Sequence, residues 1–303
     1  MARYLNPKND LTFKRIFADH PNLLIKFLNA VMPFEHGRQI EKIEYLPSEM
    51  IPDNPTRKYS IVDVRCVDNE KRQFIVEMQM YWDGAFTNRL IFNAGKAYVR
   101  QLERGNEYHL LQPVYTLAIL NEDFDRKTDR FYHHFQIVNR ENTDEVIPGL
   151  EFVLIELTEK FKPETLNDRK LAVLWLRFLK EVGENMSLLP PEMQENEDIR
   201  QAAEICEISA FTPEELAVYE KYWDIISTEK TLYKGAILKG ETIGIAKGEA
   251  IGLKKGEAIG REEEKKQFVI NGYKKGHPIE LISSFTELTT VQVVEILKQH
   301  GYI

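Results

Sequence analysis

The chain has 303 residues, 40 Lys+Arg against 48 Asp+Glu for a formal net charge of −8, and it is 43% apolar and 29% charged. That balance belongs to a globular chain of one large or two smaller domains and excludes global disorder. Two cysteines, Cys66 and Cys206, are too few for a disulfide framework or a cysteine zinc site. There is no apolar run of membrane-spanning length and no apolar leader within Met1 to Asp10, so no membrane partner is expected. The expectation is a cytoplasmic protein with reduced thiols.

The charge is unevenly placed. Residues 1–120 hold 16 basic and 14 acidic side chains, net +2, and the remaining 183 residues hold 24 and 34, net −10. A polyanion therefore finds its better surface in the first 120 residues, although an ordinary mixed surface has the same arithmetic.

Residues 9–33 read as two short helices. Leu11, Phe13, Ile16 and Phe17 recur at helical spacing, His20-Pro21 breaks the pattern, and Leu23, Leu24, Phe27, Leu28 and Val31 resume it. From about 39 to 80 the period drops to two and β-branched residues rise. The helical period returns over 83–104. Residues 113–120 form a short apolar run typical of a buried strand, and two more strand-like runs follow near 131–138 and 150–157. This order predicts a mixed α/β core around a central sheet. Residues 164–229 read as helical, with Pro190-Pro191 ending a strongly apolar segment and an exposed acidic connection over 192–198. Thr212-Pro213-Glu214-Glu215 reads as a helix start.

Residues 235–260 are unusual. Glycines stand at 235, 240, 244, 248, 252, 256 and 260, within an eight-residue unit in which Lys239, Lys247 and Lys255, and Glu241, Glu249 and Glu257, repeat in phase. Glycine costs ~1 kcal/mol per helical position. Glycines four apart advance only ~40° around a helix, which gives a stripe that another helix can approach closely. A self-associating helix and a flexible linker both fit, and a phosphate loop does not, because the Gly-x-x-x-x-Gly-Lys-Ser/Thr spacing is missing. Residues 267–303 read as three short helices in helix-turn-helix order, a unit for packing, assembly or DNA reading.

The segment from Tyr59 to Met80 carries the chemistry. It reads as a β-hairpin with a three-residue loop at 69–71, so paired numbers sum to 140 and Asp63 lies opposite Glu77. Val62, Val64, Cys66, Phe74, Val76 and Met78 share an apolar face, and Asp63, Arg65, Glu77 and Gln79 share the other. Directly opposed residues have Cβ atoms ~4.5–5.5 Å apart, where two carboxylates repel unless a cation lies between them. Hard oxygen ligands suit Mg²⁺, with Gln79 near enough to orient a water or phosphate. An open, solvated sheet face with Arg65 neutralising both acids fits the same spacing. Tyr81 and Trp82 either stack a base or close the end of the core. His133-His134 projects to opposite faces and makes a poor metal pair.

On these residues the chain resembles the PD-(D/E)xK nuclease-like transposases, also called recombination-promoting nucleases. Asn6-Pro7-Lys8-Asn9-Asp10-Leu-Thr-Phe13-Lys14-Arg-Ile-Phe17 is similar to the family's opening, Phe27-Leu28-Asn29-Ala30-Val31 to the element after it, and Asp63…Glu77-Met-Gln79 to its hairpin site. Arg89, Tyr98, the glycine tract and the C-terminal helical unit also fit. The resemblance implies a restriction-endonuclease-like α/β core, a mixed central sheet flanked by helices, with a helical C-terminal extension. It divides the chain into a nuclease-like domain at 1–160, a helical region at 161–230, the glycine tract at 231–266 and a small unit at 267–303. It implies that Asp63 and Glu77 bind Mg²⁺ or a similar divalent ion such as Mn²⁺, that Asp63, Glu77 and Gln79 are catalytic, and that DNA is the substrate.

Gln79 stands where the broader superfamily has Lys. It supplies neither charge nor proton, so Lys14 or Arg89 is expected to provide the charge, with Asp10 near the site or simply capping the first helix. The reading is a metal-dependent DNA endonuclease of low sequence specificity, homodimeric or higher through 235–260. A non-catalytic or partner-activated DNA-binding or assembly protein, for example in a defence system, is the alternative.

Overall fold

The computed structural model describes residues 4–34, 38–50, 60–80, 84–103, 105, 107–124, 127–163 and 170–303. Tyr81, Trp82 and His36 lie outside the described residues. The chain divides into two compact units, Met1–Thr228 and Glu229–Ile303.

The first unit opens with α1 (Asp10–Phe17) and α2 (Pro21–Val31), the two helices expected on either side of His20-Pro21. The Asn9 side chain accepts the Leu11 N–H at 3.0 Å and caps α1. Five strands follow: β1 (Ile43–Tyr45), β2 (Glu49–Met50), β3 (Ser60–Ile61), β4 (Val64–Asp68) and β5 (Gln73–Gln79). Next come α3 (Phe86–Val99), β6 (Val114–Leu120), β7 (Tyr132–Val138) and β8 (Val146–Glu156). The six-stranded sheet has the order β1-β4-β5-β6-β8-β7. β5, β6 and β8 run parallel, and the strands on either side of them antiparallel. This is the mixed sheet flanked by helices that the sequence predicts.

The β4–β5 register holds, with Val64 opposite Val76 and Cys66 opposite Phe74. A turn locks it. Asp68 accepts the Arg72 N–H at 2.9 Å and the Arg72 Nε–H at 2.7 Å, and both side chains are buried. Lys71 takes the left-handed conformation, φ 66°, that closes a three-residue hairpin loop.

Helices cover both faces of the sheet. Phe74, Val76 and Met78 of β5 and Leu117 and Ile119 of β6 face the main core, which holds Phe13, Phe17, Phe27 and Trp175. Phe17 stacks on Phe27 at 4.7 Å between ring centroids, and Trp175 closes against Phe27 at 5.5 Å. On the opposite face Ile75, Val114, Ala118 and Leu154 meet Ala94, Ala97, Phe86 and Leu90 of α3. The face of the hairpin that bears Glu77 is therefore packed under α3. This removes the open, solvated sheet face from consideration, and Arg65 donates instead to Gln73 Oε1 at 2.9 Å.

Three expectations need correction. Val62 does not share the main core with Val64 and Cys66; it packs with Met50, Ile75 and Ala94. The chain bends at Asp63 between β3 and β4, which shifts the alternation by one residue. Asp63 consequently lies just outside the β4 ladder instead of in a pair with Glu77. Pro190-Pro191 does not end the apolar helix, since α4 (Lys170–Glu181) stops well before it. Pro191 instead begins α5 (Pro191–Glu195), where its missing N–H costs nothing, and Asn196 then caps α6 (Glu197–Ile205). Residues 192–195 and 197–198 thus lie in short helices on either side of Asn196, with Met193 fully buried.

Thr212 starts α7 (Pro213–Lys274) as the sequence predicts, exchanging hydrogen bonds with Glu215 at 2.8 and 3.2 Å. The glycine tract is helical throughout, and a Cβ added at Gly240, Gly244, Gly248, Gly252, Gly256 or Gly260 would meet nothing within 4 Å. In the second unit the end of α7 packs with α8 (Ile279–Thr286) and α9 (Thr290–Gln299) around Val269, Ile282, Val293 and Leu297. Gly272 permits that approach, because a Cβ there would come within 3.2 Å of Ile282 Cγ1. Among the described residues no helix is long and apolar enough to cross a membrane.

Candidate active site

The polar side chains of β5 emerge beneath α3. Glu77 is 6% exposed, and its Oε1 accepts from Asn93 Nδ2 at 3.0 Å. Gln79, two residues on and facing the same way, has its Oε1 held by Arg89 Nη2 at 2.6 Å. Arg89 and Asn93 stand four apart on α3, hence one above the other on its sheet-facing side. The bend before β4 turns Asp63 toward the same place, where its Oδ2 accepts the Met78 N–H at 2.6 Å.

The electrostatics are those of crowded acids. Burial, and then the neighbouring Glu77 and Asp10 charges, raise the Asp63 carboxyl from 3.8 to about 7, with the Met78 N–H and Lys14 opposing the rise. Burial also raises Glu77, against the pull of the Asn93 hydrogen bond and of Arg89. Asp10 and Lys14 on α1 thus lie within electrostatic reach of Asp63, and they pair with each other at 2.7 Å. Asp63, Glu77, Gln79, Asp10, Lys14 and Arg89, all singled out in the sequence, are brought to one neighbourhood. Lys14 is engaged by Asp10, whereas Arg89 bears directly on Gln79.

Asn93 was not singled out. It is fully buried, and its Oδ1 has no hydrogen-bond partner among the described residues, because its amide must turn the nitrogen toward Glu77. The signal was available, since Asn93 is a polar residue in the apolar stripe of Phe86, Leu90, Ala94 and Ala97, one turn after Arg89.

Among the described residues no group of three or more His, Cys, Asp and Glu side chains is arranged to hold a metal ion. The donor set is nevertheless suited to a hard cation. The buried Glu77 carboxylate, the half-buried Asp63 carboxylate and the orphaned Asn93 carbonyl oxygen make an excess of acceptors over donors, which a hydrated divalent ion would satisfy. His133 and His134 diverge as expected, to Glu156 at 2.7 Å and to Glu151 at 3.0 Å.

Neither a curated protein nor a solved structure matches the chain. The family model described as PD-(D/E)XK nuclease family transposase matches residues 7–232, from the Pro7-Lys8-Asn9-Asp10 opening through the sheet and its helices into α7. The chain belongs to the PD-(D/E)XK nuclease transposase family.

Proposed function

We propose that this chain is a divalent-metal-dependent DNA endonuclease that hydrolyses phosphodiester bonds with little sequence specificity. The observation that carries the reading is the surplus of acceptor oxygens at half-buried Asp63 and at buried Glu77 and Asn93. Asp63 and Glu77 would hold Mg²⁺ or Mn²⁺, and such an ion, when bound, polarises a phosphate and lowers the pKa of a coordinated water. The protein's own groups orient the site. The Met78 N–H fixes the Asp63 carboxylate and Asn93 fixes that of Glu77. Gln79 neither carries charge nor moves a proton. The guanidinium bonded to its carbonyl supplies a permanent positive charge beside the phosphate, so Arg89 takes the electrostatic part that a lysine plays in the wider superfamily.

The test is cleavage of supercoiled plasmid by wild type and Asp63→Ala, each with Mg²⁺ and with EDTA. Nicking that requires both Mg²⁺ and Asp63 is expected; nicking by the variant, or in EDTA, overturns the assignment.

Self-association through 235–260 belongs to the same reading. Ile243, Ile251 and Ile259 recur every eight residues and are 46%, 56% and 62% exposed, beside glycines with open space over them. A second copy of this helix would cover both. Sedimentation of the full chain and of a Gly248→Leu, Gly252→Leu variant tests this: the variant should run as a smaller species, and an unchanged mass refutes the contact.

A further inference from the structure

β5, β6 and β8 end level with one another, Gln79 beside Leu120 and Leu120 beside Glu156. Ligands of parallel sheets gather beyond such carboxyl ends. Two lysines far apart in the first unit's sequence meet there. Lys8 precedes α1, and its Nζ donates to Asn121 Oδ1 at 2.6 Å. Asn121 in turn gives its backbone N–H to the Gln79 carbonyl at 2.9 Å, so Lys8 stands one residue's contact from Gln79. Lys180 comes from the last turn of α4 and donates to the Thr158 carbonyl at 2.6 Å, with its ammonium 5.7 Å from the Phe161 ring centroid. The two ammoniums are close enough that Lys180, after burial, lowers the pKa of Lys8.

Like charges held together in a half-buried place are costly unless an anion joins them. Among the described residues neither lysine pairs with a carboxylate, and the groups that hold them are a neutral amide, a carbonyl and a ring. Lys160 provides the contrast. It lies in the same region, but Glu156 at 2.9 Å and Asp123 at 3.7 Å take up its charge.

We propose that Lys8 and Lys180 form a phosphate subsite that grips one backbone phosphate of the bound DNA strand, adjacent to the phosphate at Asp63 and Glu77. The inference rests on the nuclease reading for the identity of the anion. The pair reads no base, so it contributes register and affinity equally on all sequences.

The test is binding of a fluorescent 20-base-pair duplex to the full chain in EDTA, by anisotropy, between 50 and 200 mM NaCl. One lost phosphate contact makes the slope of log K against log salt shallower by about 0.9. The double variant Lys8→Gln, Lys180→Gln should show that change and bind roughly tenfold more weakly at 50 mM salt. Lys8→Arg, Lys180→Arg should keep the wild-type slope. So should Lys170→Gln, a control on the same helix about 15 Å from Lys180. A wild-type slope in the double glutamine variant overturns the subsite, as does an equal loss in Lys170→Gln. Asp63-dependent nicking alongside either result would leave the nuclease reading standing and remove the subsite alone. A wild type that binds no duplex overturns both.

Discussion

Replacing Asp63 by Asn in metal-free protein should stabilise the fold at neutral pH, and the gain should fade in acid. Asn keeps an oxygen for the Met78 N–H, which Asp63 accepts at 2.6 Å, and removes only the charge. Burial, with Glu77 and Asp10 adding repulsion, raises the Asp63 carboxyl from 3.8 to about 7 in the folded chain. In the unfolded chain it titrates near its ordinary value of ~3.9. Between these values the folded state holds a proton that the unfolded state has released. Wild-type stability therefore falls as pH rises from ~4 to ~7 and is level above that. At 1.36 kcal/mol per pKa unit the whole rise is worth about 4 kcal/mol. The variant lacks this slope, so its advantage should grow by about 3 kcal/mol between pH 4.5 and pH 8. Guanidinium unfolding in EDTA, followed by tryptophan fluorescence, measures it. Trp82, Trp175 and Trp223 all fall within Met1–Thr228, so the signal reports the unit that contains Asp63. A difference that does not change with pH, or a wild type more stable than the variant at pH 8, refutes the reasoning.

Magnesium should act in the opposite direction, stabilising wild type by about 2.7 kcal/mol at a hundred times its Kd and leaving Asp63→Asn unmoved; equal shifts in the two melting curves would show that the ion binds elsewhere. Asn93→Ala should free the Glu77 carboxylate from the side-chain amide that holds it and lower plasmid nicking at least tenfold with little change in duplex binding, and unchanged nicking would remove Asn93 from the site. Arg72→Met leaves the Asp68 carboxylate buried and unpaired at the hairpin turn and should cost about 3–5 kcal/mol in guanidinium unfolding, a figure that a loss below ~1 kcal/mol would contradict. Gly244→Ala and Gly256→Ala, each with open space at the new Cβ, should raise helicity by circular dichroism and stabilise the isolated helix by up to ~1 kcal/mol apiece, and a loss of helicity would refute this.

Much of the site was legible because hairpin geometry is short-range. Asp68 through Arg72 specify the loop, the loop fixes the register, and the register brings Glu77 and Gln79 onto one face. The departure of Asp63 from the ladder was not legible. It depends on a bend whose cause lies in tertiary packing, as Val62 leaves the main core for Met50 and Ile75 on the other side of the sheet. The covering of that face was half legible. The helical period around Phe86–Leu90 announces α3, but nothing local says which sheet face it takes. Asn93 shows the limit from the other direction, since one asparagine among apolar neighbours has no chemical meaning until Glu77 stands 3.0 Å away. Pro190-Pro191 is ambiguous by itself, because a proline pair can follow a helix or open one; here α4 has already stopped at Glu181 and Pro191 only opens α5.

The glycine stripe of α7 has a geometrical consequence for assembly. Each four-residue step turns the stripe ~40°, so the five steps from Gly240 to Gly260 turn it about 200°, from one side of the helix to the opposite side. A straight rod laid alongside touches only two or three of these glycines before the stripe winds out from under it. A companion that stays in contact must coil with it, and a repeat longer than 3.6 residues sets the hand of that coil as right-handed. Two straight companions would instead seat at the two ends on opposite sides, and a helix with two such seats links neighbours into a row as readily as it closes a pair.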